Sequence, residues 1–213
     1  MRSMGNNYTV LLKRPVVKAT RIAYLGVERS PLAPVLGAPW LRRLKSLITY
    51  MPAGQVLALL DAAGPADLRA WVAGGWGVDA LAGRQTRRHY DLDLVIGNET
   101  RDMSAARSLL AGQGYRHAHV EHNPGLPMPW RQVWQHADGW SVELLPVPLG
   151  TSPFSEPGAF TEGAIDGRKV PCLSASLQLK LHSGYPARDI DLTDTGLLRT
   201  LLGHSGLGHS GPP

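Results

Sequence analysis

The chain has 213 residues, of which 43% are hydrophobic and 18% are charged, a balance typical of globular domains and not of disordered chains. No uninterrupted apolar run reaches the roughly 18 residues that a transmembrane helix needs, so neither a membrane span nor a membrane partner is expected. The single cysteine, Cys172, excludes an internal disulfide and favours a reducing compartment, the cytoplasm.

The net charge of +5 is distributed unevenly along the chain. Residues 1–50 hold nine Lys/Arg and one acid, whereas residues 51–213 hold 13 Lys/Arg and 16 acids. This mildly acidic remainder is not the footprint of a protein that grips a phosphate backbone, so nucleic acid is not expected as a partner. Residues 1–50 show no clean periodicity and are predicted to form a basic, poorly ordered N-terminal extension.

Beyond Met51, hydrophobic periodicity predicts alternating helices and strands. Glycine marks several of the boundaries, and Asp138-Gly139 and Asp166-Gly167 are typical hairpin turns. In chain order the pattern predicts helix 55–63, strand 68–73, helix 77–82, strand 91–96, helix 100–112, strands 115–120, 131–136 and 140–147, a hairpin over 164–171, and helices 174–185 and 191–202. The domains expected are a core over 51–172, C-terminal helices over 173–202 and a disordered tail over 203–213.

Two aspartates open the predicted strand 91–96. Residues two apart project from the same face of a strand, about 6.6 Å from each other, so Asp91 and Asp93 can converge on metal ions. Carboxylates suit Mg²⁺, which binds proteins through one or two of them and through substrate phosphates. By itself, however, such a pair is more typical of a solvated strand end or of ion pairs with neighbouring arginines.

The segment before this strand carries features that favour binding of an anion. Gly74-Gly75 follows a predicted strand and precedes a short helix, where backbone N–H groups can approach a triphosphate. Arg84, Arg87 and Arg88 then place positive charge between the glycines and the carboxylates. Alone, each feature is an ordinary tight turn or a solvated charge run, but their order is hard to explain by core packing.

A third carboxylate is predicted at Glu143, in the otherwise apolar stretch WSVELLPV. A charged side chain has little structural reason to lie there, and a strand beside 91–96 would direct it toward the same metal ions. Glu143 is therefore a candidate metal ligand and a candidate general base for an attacking hydroxyl. The alternative is that Glu143 faces solvent on the outer side of its hairpin.

The stretch WVAGGWGVDALAGRQTRRHYDLDLVI, residues 71–96, resembles the GGW…DxD signature of the minimal nucleotidyltransferases. It is most similar to their branch of aminoglycoside 2''- and lincosamide nucleotidyltransferases. The resemblance continues through VELLPV and EGAIDGRKVPCLSASLQLKLHSGY, and covers roughly residues 53–202. It implies an α/β fold with a mixed sheet like the nucleotidyl-transfer core of DNA polymerase β, flanking helices and a helical C-terminal part.

The resemblance also implies roles for individual residues. Three departures from the family pattern are Tyr90 in place of an acid, Glu143 in place of a more usual Asp, and the absence of basic residues from DIDLTD after Arg188. The resemblance implies that Gly74 and Gly75 hold the triphosphate and that Trp76, Asp79 and Tyr185 lie beside the nucleotide. It implies Mg²⁺ ligands at Asp91, Asp93 and Glu143, with Glu143 also a candidate general base. Residues implied to line the phosphates are Arg84, Thr86, Arg87 and His89, and Lys180 lies either near a phosphate or at the surface.

These features predict an enzyme that moves a nucleoside monophosphate, AMP from ATP, to a hydroxyl of a small molecule in the presence of Mg²⁺. Aminoglycoside and lincosamide antibiotics are candidate acceptors, and a homodimer is compatible with the sequence. The alternative is a non-catalytic nucleotide-binding or partner module of the same fold. A retired enzyme is expected to lose one of Asp91, Asp93 or Glu143, and all three are present, which favours the enzyme.

Overall fold

The computed structural model describes residues 49–122, 130–181 and 189–206. Within these ranges the chain forms five helices and seven strands. The helices are α1 (Ala53–Ala63), α2 (Gly74–Ala82), α3 (Thr100–Gly112), α4 (Ala175–Leu181) and α5 (Asp189–Gly206). The strands are β1 (Ala70–Ala73), β2 (Asp91–Gly97), β3 (Arg116–His122), β4 (Trp130–Gln135), β5 (Ser141–Val147), β6 (Phe160–Ile165) and β7 (Arg168–Leu173).

The seven strands form one mixed sheet in the order β3-β4-β5-β2-β1-β7-β6. The pairs β2–β5 and β1–β7 are parallel, and the other neighbours are antiparallel. Parallel pairing requires crossover connections. The one from β2 to β5 carries α3, β3 and β4, and the one from β1 to β7 spans all elements from α2 to β6. The predicted α/β fold, a mixed sheet with flanking helices and a helical C-terminal part, is confirmed.

The alternation of side chains along β2 shows how the sheet divides the core. Leu92, Leu94 and Ile96 are buried and belong to the larger hydrophobic cluster, which α1 and α3 cover with residues such as Met103. Val95 points to the other face, where a smaller cluster includes residues of β5, β7 and α4. Because successive side chains alternate, Asp91 and Asp93 lie on this second face, beyond the smaller cluster.

The C-terminal helices pack against α2 through a third cluster. Val78 of α2, Ala175 of α4 and Leu198 of α5 form its buried centre, and Leu198 is fully buried. Helices α4 and α5 therefore both pack against α2, the helix that starts at Gly74-Gly75.

Most predicted elements are confirmed with boundaries shifted by a few residues, and two of these shifts have a clear physical reason. Helix α3 and the predicted helix 100–112 have the same ends, and β2 is one residue longer than predicted. Helix α2 begins at Gly74, three residues before the predicted start at 77. The chain enters it directly from β1 because Gly74 adopts a φ of +56°, a left-handed conformation that glycine tolerates.

Helix α5 also differs from the prediction. It continues to Gly206, so residues 203–206, predicted to be disordered, are helical. Their composition lowers helix propensity, but extending an existing helix adds one hydrogen bond for each residue fixed. The rest of the predicted tail, the extension over 1–48 and the end of the helix predicted over 174–185 lie outside the described residues.

Two further expectations concern a turn and the cysteine. Asp166 and Gly167 have φ values of 51° and 75°, as the tight hairpin turn between β6 and β7 requires. Cys172 is a fully buried member of the main cluster, and burial raises the pKa of its thiol to about 11. Across the described ranges, no helix combines the length and apolarity needed to cross a bilayer.

The contact between β6 and α2 leads to a prediction about stability. A Cβ added at Gly163 would lie 2.5 Å from the carbonyl oxygen of Ala80, and backbone cannot swing aside as a side chain can. We expect Gly163→Ala to lower the free energy of unfolding by about 2 kcal/mol, as overpacking does. Gly112→Ala is the control, since nothing lies within 4 Å of its added Cβ. Urea denaturation of both variants measures the difference, and equal stability would contradict the close packing of β6 on α2.

Candidate active site

Three carboxylates lie on one face of the sheet. β2 and β5 are parallel neighbours, and their register places Asp93 directly beside Glu143 and Asp91 beside Ser141. The residues that alternate with them, such as Leu92 and Val142, are fully buried on the opposite face. The expectation that Glu143 shares a face with the aspartates is therefore met, and the alternative of an outward-facing Glu143 fails because its side chain is only 14% exposed.

The glycine turn touches these carboxylates. β1 pairs antiparallel with β2 so that Ala73 stands opposite Asp93, and α2 starts at the next residue. A methyl group added at Gly74 would overlap the carboxylate of Asp93. The absence of a side chain at Gly74 thus allows an acidic group to lie against the start of α2, where backbone N–H groups point outward.

The loop between α2 and β2 covers the second glycine. A Cβ added at Gly75 would overlap a terminal nitrogen of Arg87 and the ring of His89. Arg87 and His89 therefore lie against the first turn of α2, and their implied contact with phosphates stays a prediction. Arg87 also forms an ion pair with Asp194 of α5, with Nη2 2.7 Å from Oδ2.

A buried hydrogen-bond network holds this loop in place. Asp79 accepts hydrogen bonds from the backbone N–H and hydroxyl of Thr86, and its other oxygen contacts Nε2 of His89. Burial alone would raise the pKa of Asp79, but the hydrogen bonds from His89 and Thr86 outweigh burial and lower it. Asp79 is therefore an anion in a site that is almost closed to solvent.

Burial also affects Trp76, to which the resemblance gives a place beside the nucleotide. The indole ring is 2% exposed and packs against His89 with ring centroids 4.7 Å apart. Trp76 and Asp79 also border a cavity at the C-terminal end of α2, and the contact of Trp76 with a nucleotide stays a prediction. Asp79 and His89 are equally buried, and their hydrogen bonds hold the loop in place.

Arg84 lies away from the carboxylates. It follows the C-terminal end of α2, ten residues after Gly74, which corresponds to about 15 Å along a helix. There it is exposed and lines a shallow cavity between the end of α2 and the turn at Asp166-Gly167. The structure does not bring Arg84 to the glycine turn, so this placement does not support its implied contact with phosphates.

Two other implied residues lie at the margin of the site. Lys180 forms an exposed ion pair with Glu156, which corresponds to the surface alternative for this lysine. Tyr185 lies outside the described residues.

Sequence reasoning missed an arginine beside the carboxylates. Nη1 of Arg131, on β4, lies 2.7 Å from Oε2 of Glu143, and the other nitrogens of Arg131 contact Glu121 on β3. The hairpin register could have revealed this contact, since the turn at 138–139 pairs Val133 with Glu143 and leaves Arg131 diagonal to it. The side chain of Arg131 is 35% exposed.

The electrostatics of Glu143 reflect this crowding. Burial is the main cause that raises the pKa of its carboxyl well above the usual range, and the charges of Asp93 and Asp91 add to it. Arg131 acts in the opposite direction. Among the described residues, no three His, Cys, Asp or Glu side chains already converge as a metal site. The three acids thus concentrate negative charge, which attracts a cation, but their side chains do not form a complete coordination shell.

This combination of a mixed sheet, a glycine-led helix start and adjoining carboxylates defines the class of nucleotidyltransferases. The chain belongs to the aminoglycoside-2''-adenylyltransferase family, whose family model matches residues 55–198. It is 29% identical over 143 residues to a lincosamide resistance protein of Staphylococcus haemolyticus, covering 62% of this chain and 84% of that protein. It is 30% identical over 120 residues to a 2''-aminoglycoside nucleotidyltransferase of Escherichia coli, covering 54% and 64% of the two chains.

Solved structures agree with this assignment. The lincomycin-bound lincosamide antibiotic adenylyltransferase LnuA superimposes with a TM-score of 0.58 at 25% identity, covering 72% of this chain and 99% of that one. ANT(2'')-Ia in complex with adenylyl-2''-tobramycin also gives a TM-score of 0.58, at 23% identity, covering 72% and 91%, a likeness of fold. The predicted family and the predicted enzyme class are confirmed.

The buried network around Asp79 leads to a second prediction. We expect Asp79→Asn to lower the free energy of unfolding by about 2 kcal/mol at neutral pH, because buried donors lose a charged acceptor. Since the pKa of Asp79 is lowered in the folded state, its stabilisation is complete above the ordinary value of 3.8 and is lost as pH falls through the lowered value. The difference between wild type and variant should therefore shrink below pH 3.8.

Asp138→Asn is the matched control for this experiment, since Asp138 contacts His136 at the surface with its side chain 58% exposed. Its effect should stay within about 0.5 kcal/mol. Urea denaturation across pH measures both variants, and a variant Asp79→Asn as stable as wild type would contradict the network.

Proposed function

We propose that the protein transfers AMP from ATP to a hydroxyl group of a small molecule, with Mg²⁺ required. The observation that carries this proposal is the contact between the glycine turn at the start of α2 and the Asp93 carboxylate, with Glu143 beside it. A helix start favours the negatively charged phosphates, and carboxylates favour the cations that accompany them. The helix start that favours phosphates and the carboxylates that favour their metal ion therefore lie side by side, as a nucleoside triphosphate site requires.

The donor set fits Mg²⁺. Carboxylate oxygens from Asp91, Asp93 and Glu143 are the ligands that this hard cation prefers, and it needs only one or two of them when phosphates and waters supply the rest. This agrees with three acids that share a face without forming a complete cage in the described residues. The chemistry that Mg²⁺ supplies when bound is neutralisation of charge on the attacking and leaving oxygens.

The protein's own residues bind and orient the reactants. The N–H groups at Gly74-Gly75 and the guanidinium of Arg87 hold the triphosphate, while Asp91 and Asp93 hold its metal ion. The acceptor's hydroxyl oxygen forms a bond to the α-phosphorus as the bond from that phosphorus to the bridging oxygen breaks, and pyrophosphate leaves. Glu143 takes the hydroxyl proton, a role for which a carboxylate beside the metal ligands is suitably placed.

The acceptor is proposed to be an aminoglycoside or lincosamide antibiotic. The support is that the relatives include a 2''-aminoglycoside nucleotidyltransferase and a lincosamide resistance protein, and that structural neighbours contain lincomycin or adenylyl-2''-tobramycin. A panel of both classes tests the acceptor, with pyrophosphate release as the readout for each nucleoside triphosphate.

The first test of this function removes the acids. Asp93→Asn and Glu143→Gln should each lower acceptor-dependent pyrophosphate release by at least about 10²-fold, because metal binding or proton transfer is lost. Glu162→Gln is the control, since Glu162 is an exposed residue of β6 paired with Lys169. If Asp93→Asn retained the wild-type rate, the proposed metal site would be wrong. If wild type bound ATP but released no pyrophosphate with any acceptor, the alternative of a non-catalytic module would be favoured.

The second test probes the contact at the glycine turn. Gly74→Ala should abolish activity, because its methyl group would displace the Asp93 carboxylate. Gly83→Ala separates this clash from backbone strain, since Gly83 also has a positive φ, +66°, with nothing within 4 Å of an added Cβ. Gly83→Ala should lose about 1 kcal/mol of stability and keep its activity. Equal losses of activity in the two variants would point to strain alone.

A further inference from the structure

Helix α5 brings an unexpected acidic side chain to the active site. Asp191, Asp194 and Leu198 are spaced at i, i+3 and i+7, which places them on one face of the helix. All three are at most 3% exposed, and Leu198 packs against Val78 of α2. The packing of α5 on α2 therefore carries Asp194 inward, against the loop that precedes β2.

Asp194 meets Arg87 there in a two-pronged ion pair. Nε of Arg87 donates to Oδ1 at 3.2 Å, and Nη2 donates to Oδ2 at 2.7 Å. The Asp194 side chain is 4% exposed and that of Arg87 is 28% exposed. The acid is thus enclosed by the protein, while part of the guanidinium remains open to solvent.

The geometry of the guanidinium decides what this pair does. Asp194 occupies the edge formed by Nε and Nη2, and Nη1 also donates to the backbone carbonyl oxygen of Arg88 at 3.4 Å. Each terminal nitrogen carries two N–H groups, so one on Nη1 and one on Nη2 remain for another partner, and we call these two groups the open edge. Nη2 lies so close to Gly75 that no Cβ would fit between them. The guanidinium is therefore held beside the first turn of α2, where the N–H groups at the helix start also attract an anion.

We propose that Asp194 is a positioning residue, which fixes Arg87 so that its open edge contacts the phosphates of the nucleoside triphosphate. This inference rests on the proposed function. A planar guanidinium that is already oriented loses less freedom when it binds phosphate than a free arginine does. It also explains why a segment without the basic residues usual in the family, DIDLTD, still contributes to the nucleotide site: it holds an arginine that comes from elsewhere.

An opposite effect of Asp194 has to be weighed against this one. Its negative charge reduces the attraction of Arg87 for phosphates, so that removing the charge could strengthen binding. Orientation is favoured as the larger effect, because Asp194 binds Arg87 through Nε and Nη2 and still leaves N–H groups of the same guanidinium, held beside Gly75, for a phosphate. The sign of the change in ATP affinity therefore tests the proposal directly.

The experiment uses the full chain with Asp194→Asn, which keeps the shape of the side chain and removes its charge. We expect the Kd and KM for ATP to rise about tenfold, the loss that follows from weakening a charged hydrogen bond. The KM for the acceptor should change little. The melting temperature should fall by less than in Asp79→Asn, because Arg87 is 28% exposed and water can replace part of the lost acceptor. Asp194→Glu should recover part of the ATP affinity, and Arg87→Gln should make the further change Asp194→Asn without effect on ATP binding.

Asp61→Asn is the matched control. Asp61 also forms a two-pronged pair, with Nη1 and Nη2 of Arg168, but both side chains are more than half exposed and lie on α1 and β7, outside the site. ATP affinity in this variant should equal that of wild type.

The outcomes separate the two proposals. Unchanged or tighter ATP binding in Asp194→Asn overturns the positioning role and leaves the proposed function standing. A fall in ATP affinity that is accompanied by a similar rise in the KM for the acceptor and by a large fall in the melting temperature also overturns it, because that result indicates a structural role alone. A wild-type protein that binds no nucleoside triphosphate overturns the proposed function itself.

Discussion

The register between β1 and β2 is the constraint on which the site depends. Because Ala73 stands opposite Asp93, the chain leaves β1 and begins α2 beside the carboxylate of Asp93, the third residue of β2. A slip of one residue would turn Asp91 and Asp93 into the hydrophobic core and bring Leu92 and Leu94 to the open face. The buried leucines hold the register because that exchange would bury two charges and expose two apolar side chains. Packing on one face thus fixes chemistry on the other.

The charges around the site follow a common arrangement. Two arginines reach it, Arg131 from β4 and Arg87 from the loop before β2. Arg131 forms an ion pair with Glu121, and Arg87 forms one with Asp194. An arginine is long and flexible, so a carboxylate on its far side limits the positions that its guanidinium can occupy. The site therefore combines five acids, the three central ones together with Glu121 and Asp194, with two arginines. Of the central carboxylates, Glu143 is contacted by an arginine, Arg131, that Glu121 restrains.

Local patterns in the sequence predicted the fold and the central acids. Alternation of apolar side chains identified β2, and the odd charge in an apolar strand identified Glu143, since both signals reside within a few residues. The long-range contacts were not predicted: Arg131 depends on how two hairpin strands pair, and Asp194 depends on how α5 docks. The family resemblance implied a place beside the nucleotide for Trp76 and beside its phosphates for Arg84, and both roles stay predictions. A motif does not specify burial or the end of a helix at which a residue falls. The structure buries the first and carries the second to the far end of α2.

The ion pair between Arg87 and Asp194 joins residues 107 positions apart. Contacts of such high sequence separation close large loops, and they contribute to a high contact order, which slows folding. Strand β2 pairs with β1 and β5 over shorter distances along the chain, so a folding molecule can hold these three strands together before α5 has docked. Such an intermediate would have the carboxylates in place and the guanidinium unrestrained. Binding of the nucleotide with full affinity would then require the docking of α5, and it would develop later than the secondary structure.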